Sequence, residues 1–181
     1  MLAPRGFVTA AVFAVLLASC SRSHAEQGQV QAQGQASSPE SFTDPDDVNL
    51  ALDLKTLTHE NTATTVTYTV ETYEPFKDSQ VDFNWGIDKN NDGVVDDYVS
   101  VEWEGNKLDG KFEDPKEKDL GNARVTRPSP NSLRVSFSRK LIGTSAYQYR
   151  VTALNDTNGN DEEDPGETDV APDSGFHTHR L

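Results

Sequence analysis

Large apolar residues alternate with polar or small residues along most of the chain after residue 46. Successive side chains of a strand point to opposite faces, so this period of two predicts strands that bury one face. No segment carries the sustained apolar stripe of an amphipathic helix. The pattern predicts strands at residues 48–54, 66–70, 81–87, 99–103, 133–137 and 147–153, weaker strands at 108–112 and 124–126, and one helical turn at 140–143.

Short polar turns separate many of these runs. The sequence therefore predicts an all-β fold, an antiparallel two-sheet β-sandwich over residues 47–175, with a partly closed β-barrel as the alternative. Residues 176–181 are interpreted as a C-terminal tail.

Residues 20–46 contain almost no large apolar side chains, and five glutamines between positions 27 and 35 alternate with glycine, valine and alanine. Such a segment cannot bury enough apolar surface to offset the entropy lost on ordering. We therefore expect a disordered tether in front of the domain.

Residues 1–19 have the organisation of a secretory signal peptide: one basic residue, Arg5, then an apolar run over 7–17 that is too short to span a bilayer. A Leu-Ala-Ser-Cys sequence follows and ends at Cys20, which resembles the lipobox of bacterial lipoproteins. The resemblance implies cleavage before Cys20, acylation of its thiol, and an anchor in the cell membrane or outer membrane with the domain on the extracytoplasmic face. An ordinary signal peptide is the alternative.

The chain is acidic, with 30 Asp and Glu residues against 16 Lys and Arg and a formal charge of −14. Such a charge repels nucleic acid, which is excluded as an expected partner. Cys20 is the single cysteine, so disulfides are not expected to stabilise the domain.

Two acidic runs have the spacing of calcium loops, in which hard oxygen ligands surround the ion and a glycine permits the sharp turn. In the first run Gly93 stands at position six, and Val99 replaces the glutamate of an EF-hand at position twelve. The predicted Ca²⁺ ligands of this run are Asp88, Asn90, Asp92, the Val94 carbonyl, Asp96 and Asp97.

The second run has a glutamate at position twelve and Asp161 in place of the glycine. It is similar to the calcium loops of bacterial surface-adhesin β repeats. Both ions are expected to have a structural role; the alternative is that Asp, Asn and Gly simply form hairpin turns. The predicted ligands of the second run are Asp156, Asn158, Asn160, Glu162, Asp164 and Glu167.

Some aromatic residues lie on the apolar face of a predicted strand, and others lie off that face or in a turn. Trp85 and Trp103 share faces with apolar neighbours and are expected in the core. Tyr73, Phe76 and Tyr98 lie off that phase or in a turn, and are the predicted surface residues for a ligand.

Histidines are few, and the chain lacks a phosphate loop, an HExxH helix and a nucleophile elbow, so we do not expect an enzyme. His177 and His179 could bind a transition metal, but a mobile tail is the preferred interpretation.

Asp88-x-Asn90-x-Asp92-Gly-x-x-Asp96-Asp97-Tyr98 and the segment 169–175 resemble calcium-loop β-sandwich accessory domains of secreted bacterial proteins, including those like carbohydrate-binding module family nine. The resemblance implies a non-catalytic sandwich. We expect a lipid-anchored, calcium-stabilised binding or adhesion module with a glycan or protein ligand. The alternatives are a lipid-anchored hydrolase acting on glycans and a purely structural envelope protein.

Overall fold

The computed structural model describes residues 38–155 and 167–181. Within these ranges the chain forms twelve strands and two short 3₁₀ helices, at Asp78–Gln80 and Arg139–Leu141. The strands are β1 (Glu40–Thr43), β2 (Leu54–Asn61), β3 (Thr65–Thr72), β4 (Asp82–Asp88), β5 (Asp97–Glu104), β6 (Lys107–Glu113), β7 (Asp119–Asn122), β8 (Arg124–Ser129), β9 (Ser132–Ser138), β10 (Ala146–Leu154), β11 (Thr168–Ala171) and β12 (His177–Arg180).

The strands form two antiparallel sheets, which confirms the predicted β-sandwich. One sheet has the order β1-β2-β3-β9-β8, and the other has the order β11-β10-β4-β5-β6-β7. Two strands share one edge of β10: β12 pairs with residues 146–149 of β10, and β11 pairs with residues 151–154 of β10. Neither sheet closes into a barrel in the part of the chain that the structure describes.

The core lies between the two sheets and uses the alternating positions that the sequence identifies. Trp85 is fully buried, as predicted, and stacks on Tyr68 of the facing sheet with 5.9 Å between ring centroids. The hydroxyls of Tyr68 and Tyr147 lie 2.6 Å apart, so the two buried phenols satisfy each other. Aromatic pairs of this kind fix how the two sheets pack.

The first predicted strand is misplaced. Residues 48–53 are not a strand, and β2 begins at Leu54 and continues to Asn61. Its later inward positions are taken by His59 and Asn61, both buried, so the apolar alternation that marks the other strands is missing here. The weaker strands predicted at 108–112 and 124–126 are confirmed as β6 and β8.

Both predicted ends of the domain are wrong in the same way. Residues 40–43 of the expected tether form β1, which pairs with β2, and residues 177–180 of the expected tail form β12. Each strand has only four residues, too few for a periodic pattern. Ring contacts hold them: Phe42 stacks on His177 with 3.9 Å between centroids.

Two aromatic predictions are also wrong. Trp103 is 37% exposed because it lies near the β5–β6 turn, opposite Leu108 and beyond the buried Val101. Phe76, expected at the surface, is buried; its ring packs on Phe83, and the Arg127 guanidinium carbon lies 3.9 Å from its centroid.

No helix within residues 38–155 and 167–181 is long and apolar enough to cross a membrane. The predicted signal peptide and Cys20 lie outside the described residues.

Candidate metal centre

The first predicted calcium loop joins β4 to β5. Asp88 is fully buried, and its carboxylate accepts hydrogen bonds from the loop backbone: Oδ1 from the amide of Asn91 at 2.6 Å and Oδ2 from that of Gly93 at 2.8 Å. Gly93 has a φ of +87°, so the turn uses the conformational freedom for which the sequence singled it out.

The other oxygen-bearing side chains of this loop also bind its own backbone or a cation. Asn90 and Asp92 each accept a bond from the amide two residues further on, and Asp96 accepts one from Lys89. The Lys89 ammonium forms an ion pair with Asp97. Val94 is exposed. No three carboxylates of this loop come within 4.8 Å of one another. These contacts suit the hairpin-turn alternative, and a calcium ion here stays a prediction.

Most of the second run, including Asp156, Asn158, Asn160, Glu162 and Asp164, lies outside the described residues. Its flanking residues are described: the amide of Asn155 donates to the carbonyl of Glu167 at 2.7 Å, and both residues are buried. The run therefore leaves and re-enters the sandwich at adjacent points.

Five aspartates lie close together near these points and form what we call the terminal acidic cluster: Asp44, Asp47, Asp53, Asp169 and Asp173. One carboxylate oxygen from each of Asp44, Asp47 and Asp173 lies within 4.8 Å of the other two. Asp47 and Asp173 are exposed, whereas Asp44 is buried, so the group opens to solvent on one side.

Backbone hydrogen bonds position the segment that carries Asp44 and Asp53. The amide of Asp44 donates to the carbonyl of Lys55 at 3.0 Å and so extends the β1–β2 ladder. Its carbonyl accepts the Tyr73 hydroxyl at 2.9 Å. The amide of Leu54 donates to the Asp169 carboxylate at 2.5 Å, which joins this segment to β11 of the other sheet.

The cluster contains carboxylate oxygens without partners. Asp44 Oδ2 and Asp53 Oδ1 are buried and make no hydrogen bond to any residue that the structure describes, and the two residues are only 6% and 3% exposed. None of the ion pairs among the described residues includes a member of the cluster. Buried carboxylates without partners are rare in folded proteins because ionising them costs free energy.

The electrostatics of the cluster follow from this arrangement. Burial raises the pKa of Asp44 to about 7, and the negative charges of Asp169, Asp173 and Asp47 add to the effect. Burial likewise raises the pKa of Asp53 to about 6, with the charge of Asp169 next in size. A cation bound among these groups would reverse both effects.

Sequence reasoning missed most of this cluster. Asp169 and Asp173 lie in the segment that resembles calcium-loop accessory domains, and Asp44 and Asp47 fall in or beside the expected tether. The signal in the sequence is Asp44-Pro-Asp-Asp47, an acidic run directly before the first strongly apolar stretch. It does not predict a site by itself, because the strand β1 that positions Asp44 has no apolar repeat.

The three aromatics predicted to bind a ligand do not form a platform. Phe76 is buried, Tyr73 and Tyr98 are half-buried, and no ring contact among the described residues joins any two of them. A groove of about 810 Å³ lies elsewhere, between β8, β9 and the start of β3. Hydroxyl and guanidinium groups line it, among them Thr65, Thr126, Ser136, Arg124 and Arg134.

A second group of side chains of the types that can bind a metal, Glu40, His59 and His179, lies where β1, β2 and β12 meet.

No protein-family model matches this chain, and comparisons with curated proteins and with solved structures found no match.

Proposed function

We propose that the terminal acidic cluster binds calcium, and that the protein is a lipid-anchored extracytoplasmic β-sandwich that acts as a non-catalytic binding module. The observation that carries this proposal is the pair of buried carboxylate oxygens, on Asp44 and Asp53, that have no hydrogen-bond partner among the described residues. A divalent cation is the simplest group that would satisfy them, because it binds hard oxygens and neutralises several carboxylates at once.

Calcium suits the cluster better than magnesium does. Calcium accepts six to eight oxygen ligands in a flexible arrangement, whereas magnesium requires a near-ideal octahedron and retains its waters. The cluster offers five carboxylates of unequal burial. The amide of Leu52 donates a hydrogen bond to Asn155 Oδ1 at 2.8 Å, which fixes Asn155 next to the segment that bears Asp53.

The bound ion would have a structural role. Asp44 and Asp53 precede β2 of one sheet, and Asp169 belongs to β11 of the other. A cation shared by these residues would join the two sheets at one end of the sandwich, and it would stabilise the fold by mass action.

The groove between β8 and β9 supports the binding role. Arg124 and Arg134 place positive charge there, on a protein that is strongly acidic overall, and the surrounding hydroxyls can hydrogen-bond a polar ligand. Its volume lies in the range of ligand sites. An acidic glycan has the chemistry that such a groove would recognise.

Calorimetric titration of calcium into chelator-treated protein tests the metal. Asp173→Asn removes an exposed member of the cluster and is expected to weaken calcium binding at least about tenfold, since ligand charge sets affinity. Asp92→Asn tests the first loop separately. Glu102→Gln, which neutralises an exposed carboxylate on β5, is the control and should bind like the wild type.

The calcium role of the cluster would be refuted if Asp173→Asn and Glu102→Gln had the same affinity as the wild type. Loss of binding in Asp92→Asn alone would assign the ion to the first loop instead.

The hydrolase alternative draws on the same residues, because an acid with a raised pKa beside ionised carboxylates is also the arrangement of a general acid. Glycan turnover that is abolished by Asp44→Asn in the presence of calcium would favour it. The calcium interpretation is preferred because five carboxylates exceed the two that such hydrolysis needs.

A further inference from the structure

Two buried histidines meet at the end of the sandwich where the N-terminal and C-terminal strands lie. His59 is on β2, next to Glu40 of β1 in the strand pairing, and His179 is on β12, next to Tyr147 of β10. Both imidazoles are essentially inaccessible to solvent. Their ring centroids are 3.6 Å apart in an edge-to-face arrangement, so two strands from different sheets bring them into direct contact.

Each of these histidines has one nitrogen that is held by a neighbour and one that is not. Nδ1 of His59 lies 2.7 Å from the Tyr149 hydroxyl, and Nε2 of His179 lies 2.8 Å from Asn61 Nδ2. The other nitrogens, His59 Nε2 and His179 Nδ1, are buried and have no hydrogen-bond partner in the described part of the chain. Metal-binding histidines show this division, because a second contact on the far nitrogen orients the ring.

Glu40 supplies a carboxylate at the same point. Its Oε2 lies 3.3 Å from His59 Nε2, without the geometry of a hydrogen bond. One ligand atom from each of Glu40, His59 and His179 lies within 4.8 Å of the others. Glu40 is 57% exposed, so a metal would have a path from solvent and room for a water ligand.

We propose that Glu40, His59 and His179 form a zinc site that joins the first and last strands of the domain. Two imidazole nitrogens and one carboxylate are a ligand set that zinc accepts, with a fourth position left for water. The set does not suit calcium, which prefers oxygen ligands throughout. The site is independent of the calcium proposal because it shares no residue with the terminal acidic cluster.

His177 is a different case: its ring stacks on Phe42 and it does not belong to the group of converging ligand atoms.

The proton on His179 has to move when zinc binds. In the present arrangement Asn61 Nδ2 donates to Nε2, which leaves the proton on Nδ1. Coordination through Nδ1 would place the proton on Nε2, and Asn61 would then have to turn its amide so that Oδ1 accepts it. That turn gives up the hydrogen bond that Asn61 Nδ2 also donates to the Arg180 carbonyl at 3.3 Å, which is a cost of zinc binding.

The test is a competition titration of zinc against a chromogenic chelator, with the full chain in saturating calcium so that acidic sites are filled. We expect one zinc per chain. His59→Gln and His179→Gln should each weaken binding by more than about 100-fold, because removing a ligand costs more than removing its supporting residue. Thr178→Ala, which changes an exposed side chain next to His179 on the same strand, is the matched control and should retain the wild-type affinity.

The histidine variants change buried side chains and could fail to fold, so Glu40→Gln, which changes an exposed side chain, is the second test. It should weaken zinc binding at least about tenfold. Absence of zinc binding in the wild type would overturn the proposal. Equal binding in the wild type, His59→Gln and His179→Gln would also overturn it, as would an equal loss in Thr178→Ala. Asp44→Asn should leave zinc binding unchanged. This result distinguishes an error in the zinc proposal from an error in the proposal that the terminal acidic cluster binds calcium.

Discussion

At the scale of single residues, the most informative groups are those whose polar atoms are buried and unmatched. Asp44 Oδ2 and Asp53 Oδ1 lack partners at one place, and His59 Nε2 and His179 Nδ1 lack them at another. Each such atom costs about 1–3 kcal/mol when left unsatisfied, so four of them are a large burden for one domain. Bound cations would relieve both places.

The pH dependence of stability in chelator should carry the signature of Asp44. Its folded pKa of about 7 exceeds the unfolded value of 3.8, so the folded protein binds the extra proton between these values. This contribution therefore makes the metal-free protein less stable as the pH rises from about 4 to 7. Denaturant unfolding of the wild type and Asp44→Asn over this range measures it as a growing difference.

The histidines act in the opposite direction, because the folded pKa values of His59 and His179, about 4, lie below the unfolded value of 6.5. Their contribution to the free energy of unfolding therefore falls as the pH drops from 6.5 to 4. Both histidines are present in the wild type and in Asp44→Asn, so the difference in stability between these two proteins isolates the contribution of Asp44. A difference that does not change with pH would contradict the raised pKa of this residue.

At the scale of elements, the strong strands were predictable and the short or polar ones were not. The runs that became β3, β4, β9 and β10 alternate in the sequence because their inward residues are apolar. β2 has histidine and asparagine at inward positions, and β1 and β12 are too short to show a period.

The sequence pattern does not predict the candidate sites, because many of their residues lie on or beside these short or polar strands. Polar residues such as His59 and Asn61 take inward positions that are apolar in the other strands, so the segment that carries them gives a weak strand signal. Tertiary pairing between distant parts of the chain, as between Leu54 and Asp169, is not visible in a local pattern at all.

The C-terminal strand should contribute to stability. Deleting residues 177–181 removes the pairing of β12 with β10 and uncovers the Tyr147 and Tyr149 side of the core. We expect the free energy of unfolding to fall by about 2–5 kcal/mol, as for loss of large core side chains. Urea unfolding of the truncated chain measures this, and an unchanged midpoint would show that β12 is not docked.

Gly110 marks the point where β6 comes close to the start of β8. A Cβ at this position would lie 2.6 Å from a Val125 methyl carbon and 2.8 Å from the Ala123 carbonyl oxygen. Gly110→Ala is expected to cost about 1–3 kcal/mol by overpacking.

Gly121→Ala is the control for this effect, because its Cβ would meet only the flexible end of Leu141, at 3.0 Å. Thermal melts of both variants compare the two positions. Equal melting temperatures would contradict the close approach at Gly110.

At the scale of the whole molecule, the sandwich has two sheets whose ends are joined by polar residues in addition to the aromatic core. The terminal acidic cluster joins the entry to β2 with β11, and the histidine group joins β1 and β2 with β12. The two groups lie toward opposite ends of β10: Asp169 is next to Ala153 in the strand pairing, whereas His179 is next to Tyr147.

Calcium should also reduce the self-repulsion of a chain with a formal charge of −14. At a calcium concentration of about 100 times Kd, mass action adds about 2.7 kcal/mol of stability. That corresponds to a rise in melting temperature on the order of 10 °C for a domain of this size. Magnesium at the same concentration should give a smaller rise, and differential scanning calorimetry measures both.

The most direct test of calcium binding at the terminal acidic cluster is the melting temperature of the wild type and of Asp44→Asn. Each is measured at pH 7.5, once with chelator and once with calcium. The account predicts a reversal of sign. In chelator the variant should be more stable, by roughly 2 kcal/mol, because it no longer ionises a buried carboxyl. In calcium it should be less stable, because it has lost a ligand. A variant that is equally destabilised in both conditions would contradict the account.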